Sequence, residues 1–144
     1  MTAAPRLEVD RITCCFDGRE VLKNVSLRVA SGEVMCLLGP SGCGKSTTLR
    51  AIAGIERQEE GAIRVDGKTV SDNSTHLPPE ARSVGLIFQD FALFPHLNVE
   101  QNIAFGLKGS KAEKAARVAE LLERVDLQGY AKKSPHMLSG GEQQ

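Results

Sequence analysis

Apolar and polar residues alternate along two stretches near the start of the chain. Residues 7–13 (LEVDRIT) and 21–29 (VLKNVSLRV) follow this pattern, which is typical of strands that bury one face in an antiparallel sheet. Asp17-Gly18 lies between them and has the composition of a tight turn. The pattern therefore predicts two half-buried strands joined through this turn.

Two uninterrupted apolar runs follow, VMCLLG at 34–39 and VGLIF at 84–88. Runs of this kind are typical of strands that are buried on both faces, as in a parallel sheet. Between these runs the sequence predicts a helix, two short strands and a polar loop, at 45–53, 62–65, 69–70 and 71–83 respectively.

The remainder of the chain has helical periodicity. Residues 98–107 and 111–125 carry apolar side chains at helical spacing. We therefore predict an α/β fold with a β-rich portion at 1–88 and a helical portion at 89–144. The three histidines, His76, His96 and His136, lack the spacing of metal ligands and are predicted to be surface or loop residues.

Candidate chemistry begins at residues 39–46, whose sequence GPSGCGKS matches the pattern G-x-x-x-x-G-K-[ST] between a predicted strand and a predicted helix. Backbone N–H groups of such a loop point at phosphate oxygens, and the helix dipole adds positive potential. Lys45 is expected to neutralise the β and γ phosphates of ATP, and Ser46 to offer its hydroxyl to Mg²⁺. The predicted ATP-binding residues are Gly39, Pro40, Ser41, Gly42, Cys43, Gly44, Lys45, Ser46 and Thr47.

Cys43 lies inside this loop, where positive potential stabilises a thiolate. We predict that it is the most reactive of the four cysteines and that bound ATP shields it; the alternative is an inert small residue that fills the loop.

A phosphate loop alone is compatible with GTPases, kinases, helicases and transport ATPases. Here it is followed, in order, by VGLIFQ at 84–89, ALFPHLNVEQNIAFGL at 92–107 and LSGGEQQ at 138–144. Over nearly its whole length the chain resembles the ABC transporter ATPase family. The resemblance implies the N-terminal portion of that P-loop fold: an antiparallel β subdomain, the P-loop strand and helix, and the start of a helical subdomain.

The resemblance also implies individual roles. Phe16 is expected to stack on adenine, and Gln89 to reach Mg²⁺ and the attacking water. Without the resemblance, Phe16 is more often a core residue and Gln89 a solvated residue at a strand end. The implied catalytic residues are Lys45 and Gln89, and the implied Mg²⁺ ligands are Ser46 and Gln89.

The LSGGEQQ segment can also be interpreted physically. Ser139 is a good helix N-cap, and Glu142 three residues later completes a capping box. The family pattern implies that Ser139, Gly140 and Gly141 grip the γ-phosphate of ATP held by a second copy, so that two sites form in a head-to-tail homodimer. For these residues alone, a capped helix without a ligand is the alternative.

The implied function is ATP binding and hydrolysis that energises an importer at the cytoplasmic side of the plasma membrane. Its partners are two transmembrane permease subunits and, indirectly, a substrate-binding protein. The resemblance favours ferric iron as substrate, with polyamines, sugars and thiamine as alternatives. Lysine plus arginine number 18 and aspartate plus glutamate 18, a balance that gives no support to a nucleic-acid partner.

Two rivals come from other classes. A soluble ABC protein of repair or translation would carry large insertions and a basic face, which this sequence lacks. A nucleotide-binding module without turnover is the second rival, because the family's later acidic strand end, aspartate loop and histidine do not occur before Gln144. We therefore expect feeble hydrolysis by this chain alone, an uncovered sheet edge and marginal solubility.

Overall fold

The computed structural model describes residues 5–16 and 18–144, without the side chain of Phe16. These residues form two compact units, and the division falls between Leu86 and Ile87. The predicted turn residue Asp17 lies outside the described residues. Each unit has its own hydrophobic core.

A four-stranded antiparallel sheet forms the frame of the first unit. Its strand order is β2-β1-β3-β4, so the first strand lies in the interior of the sheet. The predicted strands are confirmed, each somewhat longer than the alternation indicates. The bounds are β1 (Leu7–Phe16), β2 (Arg19–Val29), β3 (Glu60–Val65) and β4 (Lys68–Ser71).

One helix, α1 (Lys45–Ala53), packs on this sheet. Its Ala51 and Ile52 are buried together with Val9, Ile12 and other apolar residues of the strands. The helix ends at Gly54, which has a left-handed backbone and whose N–H donates to the carbonyl of Ala51. The predicted helix is therefore confirmed at both ends.

The two predicted double-buried strands are wrong for this structure. Residues 34–39 and 84–88 have no strand assignment, and the side chains of Val34, Leu38 and Ile87 are 89–90% exposed. A strand exists only where a neighbour completes its hydrogen-bond ladder, and none of the described residues pairs with either run. Apolar composition shows that a segment can be buried, but it does not show that a neighbouring strand is present to pair with it.

The second unit is helical, as predicted. Its helices are α2 (Val99–Ala104), α3 (Lys111–Arg124) and α4 (Gly140–Gln143). Each begins with a capping box, in which the N-cap side chain and the side chain three residues later bind one another's backbone N–H. None of the helices in the described part of the chain is long and apolar enough to traverse a bilayer.

Candidate functional site: the phosphate loop

The phosphate loop is anchored to the sheet through Gly44. This residue is buried and has φ +95°, a left-handed conformation that glycine adopts readily. A Cβ at this position would meet the Cδ2 of Leu22 at 2.4 Å and the carbonyl oxygen of Val21 at 2.9 Å. Strand β2 therefore holds the end of the loop where α1 begins, and only glycine fits there.

The ammonium group of Lys45 folds back across the loop. Its Nζ donates to the carbonyl oxygens of Gly39 at 2.8 Å and Pro40 at 2.7 Å, and lies 3.6 Å from the Sγ of Cys43. These contacts place a positive charge at the centre of the loop. They use the neutral carbonyl groups of the protein, so the charge itself remains available to an anion.

The first turn of α1 is open to a ligand. Gly44 is its N-cap and has no side chain with which to cap it, and the first N–H groups of an α-helix lack intrahelical acceptors. Ser46 and most of residues 39–43 are exposed. A triphosphate fits this arrangement, because free N–H groups, a helix dipole and a lysine converge at one accessible surface.

The loop is an open cradle, and two pockets of the described residues lie elsewhere. One cavity of about 720 Å³ lies between α2 and α3, and another of about 500 Å³ borders α4; both belong to the second unit. Cavity size therefore does not identify this site. An anion binds where several backbone N–H groups point toward the same place, and an open loop can arrange them in this way.

The four cysteines differ in exposure and in the pKa of their thiols. Cys36 and Cys43 are exposed. Cys14 is buried, and burial is the main reason that its thiol pKa is raised. A hydrogen bond to Glu59 is the main reason that the pKa of Cys15 is raised to about 11. Thiolate chemistry is thus disfavoured at Cys14 and Cys15.

The start of α4 has the predicted capping box. Ser139 N–H donates to the Glu142 carboxylate at 2.7 Å, and Glu142 N–H donates to the Ser139 hydroxyl at 3.4 Å. The first of these bonds is the main reason that the pKa of Glu142 is lowered. Gly140 and Gly141 are exposed on the first turn. The capping box thus uses the N–H groups of Ser139 and Glu142, and those of Gly140 and Gly141 take no part in it.

The remaining predicted site residues lie outside the phosphate loop. Gln89 is exposed in a turn of the second unit. Phe16 ends β1, but its side chain lies outside the described residues. The structure thus brings residues 39–47 together in one loop, whereas the roles of Gln89, Phe16 and Ser139–Gly141 stay predictions.

A buried polar cluster behind α1 was missed by the sequence analysis, which assigns 71–83 to a polar loop and His76 to the surface or a loop. His76 is half-buried, and Arg82 is only 5% exposed. The Arg82 guanidinium donates to the carbonyl oxygens of Ala51 and Ile52 at 2.8 and 3.0 Å. An arginine in a polar segment gives no local indication of burial, because its partners lie about thirty residues earlier.

Comparison with known proteins identifies the family of this chain. Residues 22–144 match the family model described as ABC transporter. The chain is 49% identical over 143 residues to the putrescine transport ATP-binding protein PotG of Escherichia coli (strain K12). It is 46% identical over 144 residues to the spermidine/putrescine import ATP-binding protein PotA of the same strain. These alignments cover 97% and 98% of this chain, and 37% of each relative's length.

Solved structures give the same result at the level of the fold. A dimeric structure of a bacterial ABC transporter cassette superposes with a TM-score of 0.79 at 30% identity, covering 95% of this chain and 65% of that one. A post-hydrolysis state of that cassette, bound to ADP and Pi, gives a TM-score of 0.78 at the same identity and coverage. The chain therefore belongs to the ABC transporter family and carries the N-terminal portion of its P-loop α/β ATPase fold.

Proposed function

We propose that this chain binds ATP at residues 39–47 as part of an ATPase subunit that energises a membrane importer. The observation that carries the proposal is the open phosphate loop, with Lys45 across it and an uncapped α1 behind it. In this proposal residues 1–88 contribute the ATP-binding core and residues 89–144 the helical portion.

The loop residues have separate tasks in this proposal. Lys45 leaves the two carbonyl groups that it now contacts and pairs with the β and γ phosphates. Ser46, exposed in the first turn of α1, is proposed to offer its hydroxyl to Mg²⁺, and Gln89 is the second proposed ligand. Mg²⁺, when bound, neutralises charge on the phosphates. Phe16 is the proposed adenine contact.

The proposed substrate class is polyamines. Two relatives that cover nearly all of this chain are named for putrescine transport and for spermidine/putrescine import. The comparisons give no support to ferric iron, which the sequence resemblance favoured. Because the chain spans only 37% of the length of these relatives, the substrate is a property of the whole transporter and is proposed for it.

The proposed assembly is a head-to-tail homodimer with two permease subunits at the cytoplasmic side of the membrane, served indirectly by a substrate-binding protein. The dimeric state of the related cassette supports the first part of this proposal. In the dimer, Ser139, Gly140 and Gly141 of one copy face ATP on the loop of the other.

The test compares this chain with a longer one that completes the cassette as the solved structures have it. We expect both chains to bind MgATP in a calorimetric titration and only the longer chain to release phosphate at a substantial rate. Absence of MgATP binding by both chains would overturn the proposal. Rapid phosphate release by the shorter chain would instead show that residues outside it are dispensable for hydrolysis.

The substrate proposal has its own test. In cells whose full-length gene is deleted and then restored, uptake of labelled putrescine and spermidine should fall and recover, whereas uptake of ferric iron should stay constant. A loss confined to iron uptake would refute the polyamine proposal and leave the nucleotide-binding proposal untouched.

A further inference from the structure

The C-terminal end of α1 is held by Arg82, and His76 contacts Arg82; both belong to the segment that follows β4. Arg82 donates through Nη1 to the carbonyl oxygens of Ala51 and Ile52, and through Nε to that of Leu77 at 2.8 Å. His76 lies beside Arg82, with its Nδ1 3.3 Å from Nη2 of the guanidinium. Carbonyl groups at a helix C-terminus carry partial negative charge, so a guanidinium at this place is stabilising.

The protonation of His76 follows from its neighbours. Its Nδ1 lies 3.3 Å from Nη2 of Arg82 and 2.9 Å from the Ser71 hydroxyl. Because arginine can only donate, Nδ1 must accept, which leaves Nε2 as the nitrogen that carries the proton of the neutral ring. If Ser71 also donates to Nδ1, the Gln58 amide must turn its Nε2 toward Ser71, which satisfies an otherwise unpartnered buried donor.

Helix α1 needs anchors because it is short. It has nine residues, fewer than the roughly 12 to 15 at which isolated helices become even marginally stable in water. Its N-terminal end is held by Gly44 against β2 and by the Thr48 hydroxyl, which donates to the Gly44 carbonyl oxygen at 3.0 Å. Because helix formation is cooperative, loss of either anchor destabilises the whole helix, including the first turn that holds the free N–H groups in place.

We propose that Arg82 and His76 form a clamp on the C-terminal end of α1 that positions the phosphate loop for nucleotide. The inference rests on the proposed function, because it names positioning residues for the same site. Neither residue touches the loop: both act through α1, which is about 14 Å long at the usual rise per residue. Gly54 is part of the clamp, because a Cβ there would meet Arg82 Nε at 2.6 Å.

The test is the substitution Arg82→Lys, which keeps the positive charge and removes the planar guanidinium with its several N–H donors. We expect MgATP affinity to fall on the order of tenfold, the effect of losing hydrogen bonds to a charged group. We also expect faster hydrogen exchange at the Thr48 amide, which bonds to the Gly44 carbonyl at the loop, with β1 amides unchanged. Arg57→Lys is the matched control, since Arg57 is exposed and makes one long bond, to the Asn73 carbonyl.

A folded Arg82→Lys variant with wild-type affinity and wild-type exchange at Thr48 would overturn the inference. The exchange measurement needs no nucleotide, so it tests the clamp even if the chain does not bind ATP. If wild type fails to bind MgATP while Thr48 exchange still responds to Arg82→Lys, the proposed function is wrong and the mechanical link through α1 stands.

A pH series tests the clamp without depending on the folding of the Arg82 variant. Burial is the main cause that lowers the pKa of His76 from 6.5, followed by the charge of Arg82. The charge of Arg57 lowers this pKa further, and the Gly54 backbone acts in the opposite direction. The stabilising effect of neutral His76 is complete above pH 6.5 and is lost as pH falls through the lowered pKa. MgATP affinity should fall over the same range in wild type and less in His76→Gln. Equal pH profiles of the two proteins would contradict the clamp.

Discussion

Helices α1 and α4 differ in what lies at the N–H groups of their first turns, which have no acceptor within the helix. Helix α1 begins at Gly44, whose missing side chain leaves the first-turn N–H groups uncapped beside Lys45. Helix α4 begins at Ser139, which caps its own helix and receives the Glu142 carboxylate in return. One start is open and cationic, and the other is closed by its own hydroxyl and carboxylate.

Because of this difference, only the start of α1 is expected to bind phosphate by itself. Anchoring of Gly44 on β2 holds the α1 start open before any ligand arrives, so the cost of ordering the loop is already met by the fold. At α4, a phosphate must compete with the carboxylate of Glu142 for the same positive helix end. We therefore expect residues 39–47 to bind nucleotide in a single copy of the chain, and Ser139–Gly141 to contribute only in the dimer.

The largest effect is expected from filling the open start. Gly44→Ala combines a left-handed φ with a clash against Leu22, so unfolding free energy should fall by about 2–4 kcal/mol. Gly42→Ala is the control: Gly42 has φ +82° with nothing within 4 Å of a Cβ, so the cost should be only about 1–2 kcal/mol. Denaturant unfolding measures both. Equal losses would mean that the contact with β2 does not anchor the loop.

Opening the closed start should cost less. Ser139→Ala removes the hydroxyl that accepts from Glu142 N–H, and unfolding free energy should fall by about 0.5–2 kcal/mol. MgATP affinity of the single chain should not change. Ser110→Ala, which removes the same cap from α3, is the parallel variant. A loss of MgATP affinity specific to Ser139→Ala would show that both helix starts bind nucleotide within one copy.

Cysteine alkylation gives a finer comparison, because Cys43 lies next to the open start. Cys36 and Cys43 should react faster than the buried Cys14 and than Cys15, whose pKa is about 11. MgATP should slow the reaction at Cys43 and leave Cys36 unaffected. Mass mapping of each site measures this. Equal modification of all four, with or without MgATP, would exclude the loop environment inferred for Cys43.

The smallest effect concerns the carboxylate of the closed start. Bonds from the Ser139 N–H and hydroxyl, then from Tyr130, lower the Glu142 pKa below 4.5. Its contribution is therefore present above pH 4.5 and is lost as pH falls through the lowered pKa. In Glu142→Gln this part of the pH dependence of unfolding should vanish. Glu123→Gln, which removes one exposed carboxylate from α3, is the control for the loss of a negative charge.

Local features of this molecule could be predicted from the sequence. The bounds of α1, the turn at Gly54 and the capping box of Ser139 with Glu142 are encoded within a few neighbouring residues, where residue spacing is sufficient information. The alternation at 7–13 and 21–29 likewise predicts β1 and β2, because these two strands are neighbours along the chain and pair with each other.

Features that depend on distant residues could not be predicted in this way. Residues 34–39 and 84–88 have the composition of buried strands, but composition does not specify whether a ladder partner is present. Their apolar side chains are exposed but form no strand among the described residues, so the uncovered sheet edge and the marginal solubility stay predictions. The bonds of Arg82 to Ala51 and Ile52 join residues 31 and 30 positions apart, which no local pattern reveals.

The most direct test of the central claim is a calorimetric titration of MgATP into this chain and into its Lys45→Ala variant, with Lys68→Ala as a surface control. We expect wild type and Lys68→Ala to bind alike, and Lys45→Ala to bind about 10- to 150-fold more weakly, as hydrogen bonds to a charged group imply. Wild-type binding that Lys45→Ala leaves unchanged, or no binding by a folded wild-type chain, would contradict the assignment of residues 39–47 as the nucleotide site.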